Sequence, residues 1–159
     1  MAGERLSAHA ARNRELWDEC SAAYQAEHGE QLAASGGSAW GVWQLPEAEL
    51  GVLGDPSGRD VLEFGCGAAQ WSIALHRLGA RVTALDNSAR QLEQARILMS
   101  AAGVDFPLLH ASAESTGLAA ASFDIVFCDH GAMTFADPFR ELLLFPGVIG
   151  VVVGRGRRG

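Results

Sequence analysis

The sequence predicts an α/β fold, a three-layer open parallel sheet with helices on both faces, and three observations carry that prediction. Val61-Leu62-Glu63-Phe64 lacks the apolar and polar alternation of a strand with one wet face, as expected where helices cover both faces. Gly65-Cys66-Gly67 follows at once, a turn in which glycine accepts φ > 0 and lets a ligand lie against the backbone. A helix-period stretch and a second strand at Arg81 to Leu85 then complete a βαβ unit, whose intervening helix is long enough for a right-handed crossover.

The 159 residues suffice for one domain with a single core. No uninterrupted apolar run is long enough to span a bilayer, and Met1-Ala2-Gly3-Glu4-Arg5 lacks the layout of a signal peptide, so the expectation is a cytoplasmic protein without a membrane partner. Cys20, Cys66 and Cys128 have neither disulfide-framework nor zinc spacing, which points to free thiols and no metal. The formal net charge is −7 and every basic side chain is arginine; without a basic stripe, nucleic-acid binding is not expected.

From about Glu4 to Glu27, Leu6, Ala10, Leu16, Trp17, Cys20, Ala23 and Tyr24 recur near one stripe, which predicts an amphipathic helix. Ala33 to Ser38 is flexible in composition, and Trp40-Gly41-Val42-Trp43 has no clear period. Pro46 to Leu53 reads as a short helix, and Gly54-Asp55-Pro56-Ser57-Gly58 as a turn into the strand Asp60 to Phe64. Trp71, Ala74, Leu75 and Leu78 keep helical spacing up to a C-cap glycine at Gly79.

Asp86 ends the second strand. An acid there can reach both hydroxyls of a bound ribose or can simply start a helix. Ser88, with Gln91 three residues on as in a capping box, is the better N-cap and favours the ribose role. A helix from Ala89 to about Ala102 carries Leu92, Ala95, Leu98 and Met99 on its apolar side and closes at Gly103. Strands follow at Phe106 to His110 and at Ser122 to Cys128. Asp129-His130-Gly131-Ala132 then lies where ligands bind, at the carboxyl ends of parallel strands.

Glu63-Phe64-Gly65-Cys66-Gly67 resembles motif I of the class I S-adenosylmethionine-dependent methyltransferases, and Phe123-Asp124-Ile125-Val126 resembles a later part of that family's pattern. The resemblance covers roughly residues 15 to 147 and implies a Rossmann-like fold with S-adenosyl-L-methionine as cofactor. It implies that the glycine loop approaches the methionine part of the cofactor while Glu63 helps hold its amino group. Ala111-Ser112-Ala113-Glu114 resembles the adenine-binding turn, with Ser112 where an aspartate is common; a neutral serine contributes less there. The candidate cofactor-binding residues are therefore Glu63, Gly65, Cys66, Gly67, Asp86, Asn87, Ser112, Ala113, Glu114 and Asp129. Residues 1–45 read as an N-terminal helical lid, 46–153 as the cofactor-binding domain and 154–159 as a basic tail.

The family's sheet normally has seven strands, and this sequence offers a helix near Phe139-Arg140-Glu141-Leu142, a fifth strand at Val148 to Val153, and no counterpart of the last two strands. The expectation is a sheet short of those strands, with an exposed edge prone to self-association and weak catalysis. Methyl transfer is a direct displacement governed by alignment, and it needs no metal. His130, after a strand's carboxyl end, is the candidate catalytic base, a structural histidine being the competing reading. Tyr24, His28, Trp40 and Trp43 are candidate walls, since aromatic faces suit a sulfonium cation, with core packing as the alternative. The acceptor expected is a small molecule. A nicotinamide-dependent oxidoreductase is disfavoured by Gln70 at the third glycine position and by Glu63, and a non-catalytic cofactor-binding fragment stays open.

Overall fold

The computed structural model describes residues 6–34, 36–41, 43–119 and 121–129. Helix α1 spans Ala8–Ala34, beginning later and ending later than the sequence pattern indicates. The Ser7 hydroxyl caps it by accepting the Ala10 N–H at 3.1 Å. Beyond Glu27 the chain is rich in Gln, Glu, Ala and Leu, and Gly29 alone costs only about 1 kcal/mol of helix propensity. The expected apolar stripe is only in part its contact face: Ala10 is buried and Trp17 half-buried, but Leu16 is 48% exposed and Ala23 and Tyr24 are exposed too. Asn13, Arg14, Trp17, Asp18, Gln25, His28 and Leu32 are half-buried, so the side turned to the body is mainly polar.

A small hairpin follows, in which β1 (Ala39–Trp40) pairs antiparallel with β2 (Leu45–Pro46), and α2 is the single turn Glu47–Leu50. The Glu47 carboxylate holds this unit together by accepting both the Trp40 indole N–H and the Leu53 N–H at 2.6 Å.

Strand β3 occupies Asp60–Phe64, α3 Gln70–Arg77, β4 Arg81–Asp86, α4 Ala89–Ala102, β5 Leu108–His110 and β6 Ile125–Phe127. The four strands β3 to β6 form one parallel sheet in the order β5-β4-β3-β6. Both glycines expected to stop helices do so with positive φ, Gly79 at 91° and Gly103 at 66°. Ser88 is the N-cap of α4, accepting the Gln91 N–H at 3.1 Å.

One face of the sheet, with Val61, Val82, Ala84, Ile125 and Phe127, packs on Trp71, Ile73 and Leu75 of α3 and on Leu92, Ala95 and Met99 of α4. The other face, with Leu62, Phe64, Leu85, Val126 and Cys128, is covered among the described residues by Ala113, Leu118 and Phe123. Right-handed crossovers explain the split: two successive steps from β3 to β4 to β5 put both helices on one side, and the return to β6 passes over the other. The sheet order therefore reverses between β3 and β6, and an open α/β sheet has its ligand crevice at such a point, beyond the strands' carboxyl ends.

No described helix is long and apolar enough to cross a membrane. Cys20, Cys66 and Cys128 are free thiols, and no metal-holding group of side chains occurs among the described residues. The helix near Phe139, the strand expected at Val148 to Val153, the tail 154–159 and His130 lie outside the described residues.

Candidate functional site

The end of β3 turns through Gly65 at φ 63° and Gly67 at φ 53°, the left-handed region that a residue with a Cβ enters only at a cost. Ala69, also left-handed at φ 62°, precedes α3 and offers no side-chain cap. The cap comes from inside the sheet instead. Glu63 accepts the Ser72 N–H at 3.1 Å and the Ser72 hydroxyl on the same carboxylate oxygen. Asp86 secures the turn from β4, one oxygen accepting the Gly67 N–H at 2.9 Å and the other the Ser88 N–H at 2.8 Å. Asp129, just past β6, accepts the Gly41 N–H at 2.9 Å and the Trp71 indole N–H at 3.2 Å.

These three carboxylates line one cavity and stand in no ion pair among the described residues. Burial raises the Glu63 carboxyl from its ordinary 4.5 to about 8; the Ser72 hydrogen bonds oppose the rise, while Asp129 and Asp86 add to it by repulsion. Burial also raises Asp86, against the pull of the Ser88 and Gly67 N–H groups. The Cys66 thiol is pushed well above its usual value by burial and by Asp86 and Glu63, which makes it an inert wall rather than a nucleophile. Burial, then Asp129, raises the Tyr24 phenol.

The cavity measures about 560 Å³, within the range of small-molecule sites. Its floor holds Glu63, Gly65, Cys66, Gly67, Asp86, Asn87, Ser112, Ala113 and Asp129 from the sequence-derived set. Glu114 does not line it: its carboxylate accepts the Ser7 hydroxyl at 2.7 Å, while the Ser112 hydroxyl accepts the Glu114 N–H at 3.2 Å. Asn87 borders the cavity but spends its amide on α1, donating to the Ala10 carbonyl at 2.7 Å and accepting from Arg14 at 2.9 Å.

Helix α1 forms the roof, with Trp17, Tyr24 and His28 in ring-to-ring contact along its lower side. Trp40 is no wall; it is buried against Trp71 and Phe127. Trp43 is 81% exposed. Sequence reasoning also passed over Trp71, Gln25 and Gln91, all of which line the cavity. The rest of the roof's signal lies in Arg14, Ser21, Gln25 and His28, polar residues that continue the side of Ala10 and Trp17 at helical period and are hidden from a search for apolar residues.

The fold and cavity define an α/β protein whose ligand crevice lies at the carboxyl ends of parallel strands. Residues 61–144 match the family model of the methyltransferase domain. A ubiquinone biosynthesis O-methyltransferase from Ruegeria pomeroyi is 32% identical over 106 residues, covering 64% of this chain and 43% of that protein. Among solved structures, YcgJ from Bacillus subtilis superposes with a TM-score of 0.55 at 23% identity, over 60% of this chain and 41% of its own. The DhpI-SAM-HEP complex superposes with a TM-score of 0.54 at 22% identity, over 78% of this chain and 52% of its own. At those identities the two structures speak for the fold alone. This chain belongs to the methyltransferase domain family and has the class I S-adenosylmethionine-dependent methyltransferase fold. It spans less than half the length of the curated relatives it matches.

Proposed function

We propose that the chain binds S-adenosyl-L-methionine in this cavity and serves methyl transfer to a hydroxyl of a small-molecule acceptor. The observation that carries the reading is the set of Glu63, Asp86 and Asp129 around a glycine turn, Glu63 buried and the other two half-buried, with no cation paired to them among the described residues. A carboxyl raised by burial and by its acidic neighbours, as Glu63 is, is complementary to a cationic ligand, and this cofactor carries an ammonium and a sulfonium. Gly65 and Gly67 admit the ligand to the backbone, Glu63 faces its amino group, and Asp86 accepts from its ribose. Ser112 and Ala113 lie by the adenine, and Trp17, Tyr24 and His28 shield the charge from above.

When bound, the cofactor supplies an electrophilic methyl group. The chain's own part is to hold donor and acceptor in line and to exclude water with α1. His130 follows Asp129 in the sequence, and we assign it the removal of the acceptor's proton. The hydroxyl acceptor is taken from the family of the Ruegeria pomeroyi relative. Residues 1–45 act in this reading as the lid. Calorimetric titration of the chain with S-adenosylmethionine, S-adenosylhomocysteine and NAD tests the first step: saturable binding of the adenosyl pair and none of NAD is expected, and the reverse order sinks the reading. Transfer of labelled methyl to a panel of phenols and catechols, with His130→Ala alongside, tests the second.

A further inference from the structure

Gln91 lines the cavity from the first turn of α4, is 4% exposed, and its side-chain carbonyl has no hydrogen-bond partner among the described residues. Its position gives it an ordinary task that it does not perform. Three residues after the Ser88 N-cap, a glutamine reaches back to the cap's own N–H. Here the Ser88 N–H donates instead to Asp86 at 2.8 Å, a carboxylate being the stronger acceptor. The Gln91 amide is displaced and stands beside the glycine turn, its carbonyl oxygen 3.8 Å from where a Cβ on Gly67 would sit. Buried polar atoms are hydrogen-bonded with few exceptions, so an unpaired amide carbonyl at a ligand cavity calls for a partner.

We propose that Gln91 is a ligand-contacting residue that, with Asp86, hydrogen-bonds the ribose hydroxyls of the adenosyl ligand; this rests on the function proposed above. Gly67 links the two side chains, for its N–H is held by Asp86 at 2.9 Å while its α-carbon faces the Gln91 carbonyl. Each hydroxyl of a vicinal diol donates one hydrogen bond and accepts others, whereas an ionised carboxylate only accepts. Asp86 alone would leave the hydroxyl oxygens without a donor. Gln91 supplies an N–H donor and a second acceptor from one group that can turn either end inward.

The test uses Gln91→Met, which keeps length and bulk without the amide, and Gln91→Leu as a second apolar variant should the first not fold. Affinities for S-adenosylhomocysteine and for its 2′-deoxyribose analogue are measured by calorimetry, with thermal unfolding of each free protein. The ribose ligand is expected to bind about ten- to a hundred-fold more weakly, the deoxy analogue to change far less, and the free variant to melt at or above the parent. Unchanged affinity for the ribose ligand overturns the assignment. Equal losses for both ligands also overturn it, because Gln91 would then only support the turn. If the parent binds neither ligand, the adenosyl reading itself fails; if the parent binds and only the variant result is contrary, the fault lies with Gln91 alone.

Discussion

The floor and the roof of the cavity are held by different forces. The floor is the parallel sheet with α3 and α4, fixed by side chains such as Val61, Leu75, Leu92 and Phe127 that are almost wholly buried. The roof is α1, which buries only Ala10 and Ser21 and is tied down by polar contacts: Ser7 to Glu114, Arg14 to Asn87, Asp18 to Ser88 and Gln25 to Gln70. Removal of apolar surface from water gives roughly 0.8 kcal/mol per buried methylene, while a protein hydrogen bond that replaces one to water nets only about 0.5–1.5 kcal/mol. A floor built the first way and a roof built the second should open at different free energies, the roof the more readily, as the proposed lid role of α1 requires.

The contrast breaks most visibly in the core. Phe127→Ala deletes a ring at 0% exposure that contacts Trp40 and Trp71. It should cost about 3–5 kcal/mol in urea unfolding, whereas Leu16→Ala on the exposed side of α1 should stay within about 0.5 kcal/mol. Comparable losses would mean that α1 belongs to the same cooperative core.

Glu63 tests the electrostatics of the floor. An unfolded chain releases this proton near the ordinary 4.5, and the folded one holds it to about 8, so between those values the native state binds more protons. Stability without ligand should therefore fall as pH rises through that window, and Glu63→Gln should flatten the dependence. A cationic ligand favours the carboxylate and so lowers its pKa. Binding should then release a proton near neutrality and tighten as pH rises toward 8, which titration in buffers of different ionisation enthalpy measures. A pH-independent affinity would remove Glu63 from the ligand's amino group.

The same contrast decides what could be read from the sequence. Asp60–Phe64, the helix Ala89–Ala102 and its caps Ser88 and Gly103 fall where periodicity and turn chemistry put them, because burial writes apolar spacing directly into the chain. The contact face of α1 is legible only at Ala10 and Trp17, because the polar residues beside them pack by hydrogen bonds and leave no such pattern. Trp40 and Trp43 looked alike in sequence, yet one joins the core and the other is exposed, a distinction made by the hairpin fold around Gly41. Gln91 has the spacing of a capping box, and only the competing Asp86 carboxylate shows that its side chain does not close one.

Within the floor, Asp86 braces the glycine turn and the start of α4. Asp86→Ala should weaken adenosyl-ligand binding by about 1.5–3 kcal/mol, roughly one to two decades. An unchanged dissociation constant with lowered stability would make it a brace only. Gly65→Val should act differently, by forcing a β-branched residue to φ 63° and placing bulk where the ligand meets the backbone. Binding as tight as the parent's would move the site away from the turn.

The smallest effect should be at the latch of the roof. Asp18 accepts the Ser88 hydroxyl at 2.6 Å and the Arg90 N–H at 3.2 Å, joining the middle of α1 to the start of α4. Although burial opposes it, these two hydrogen bonds bring the Asp18 carboxyl below its usual range, so the contact is made by the ionised form. Asp18→Ala removes two acceptor contacts near the surface, yet Ser88 keeps its own bond to the Gln91 N–H and α4 stays capped. Global stability should drop by no more than about 1 kcal/mol. Hydrogen exchange should show the larger change, with α1 amides losing protection while those of α4 and β3 keep theirs, as expected of a locally opening unit. Adding ligand should restore protection to α1 if the roof closes over it. Uniform loss across α1, α4 and β3 would instead join roof and floor into one unit, and the cavity would need another way in.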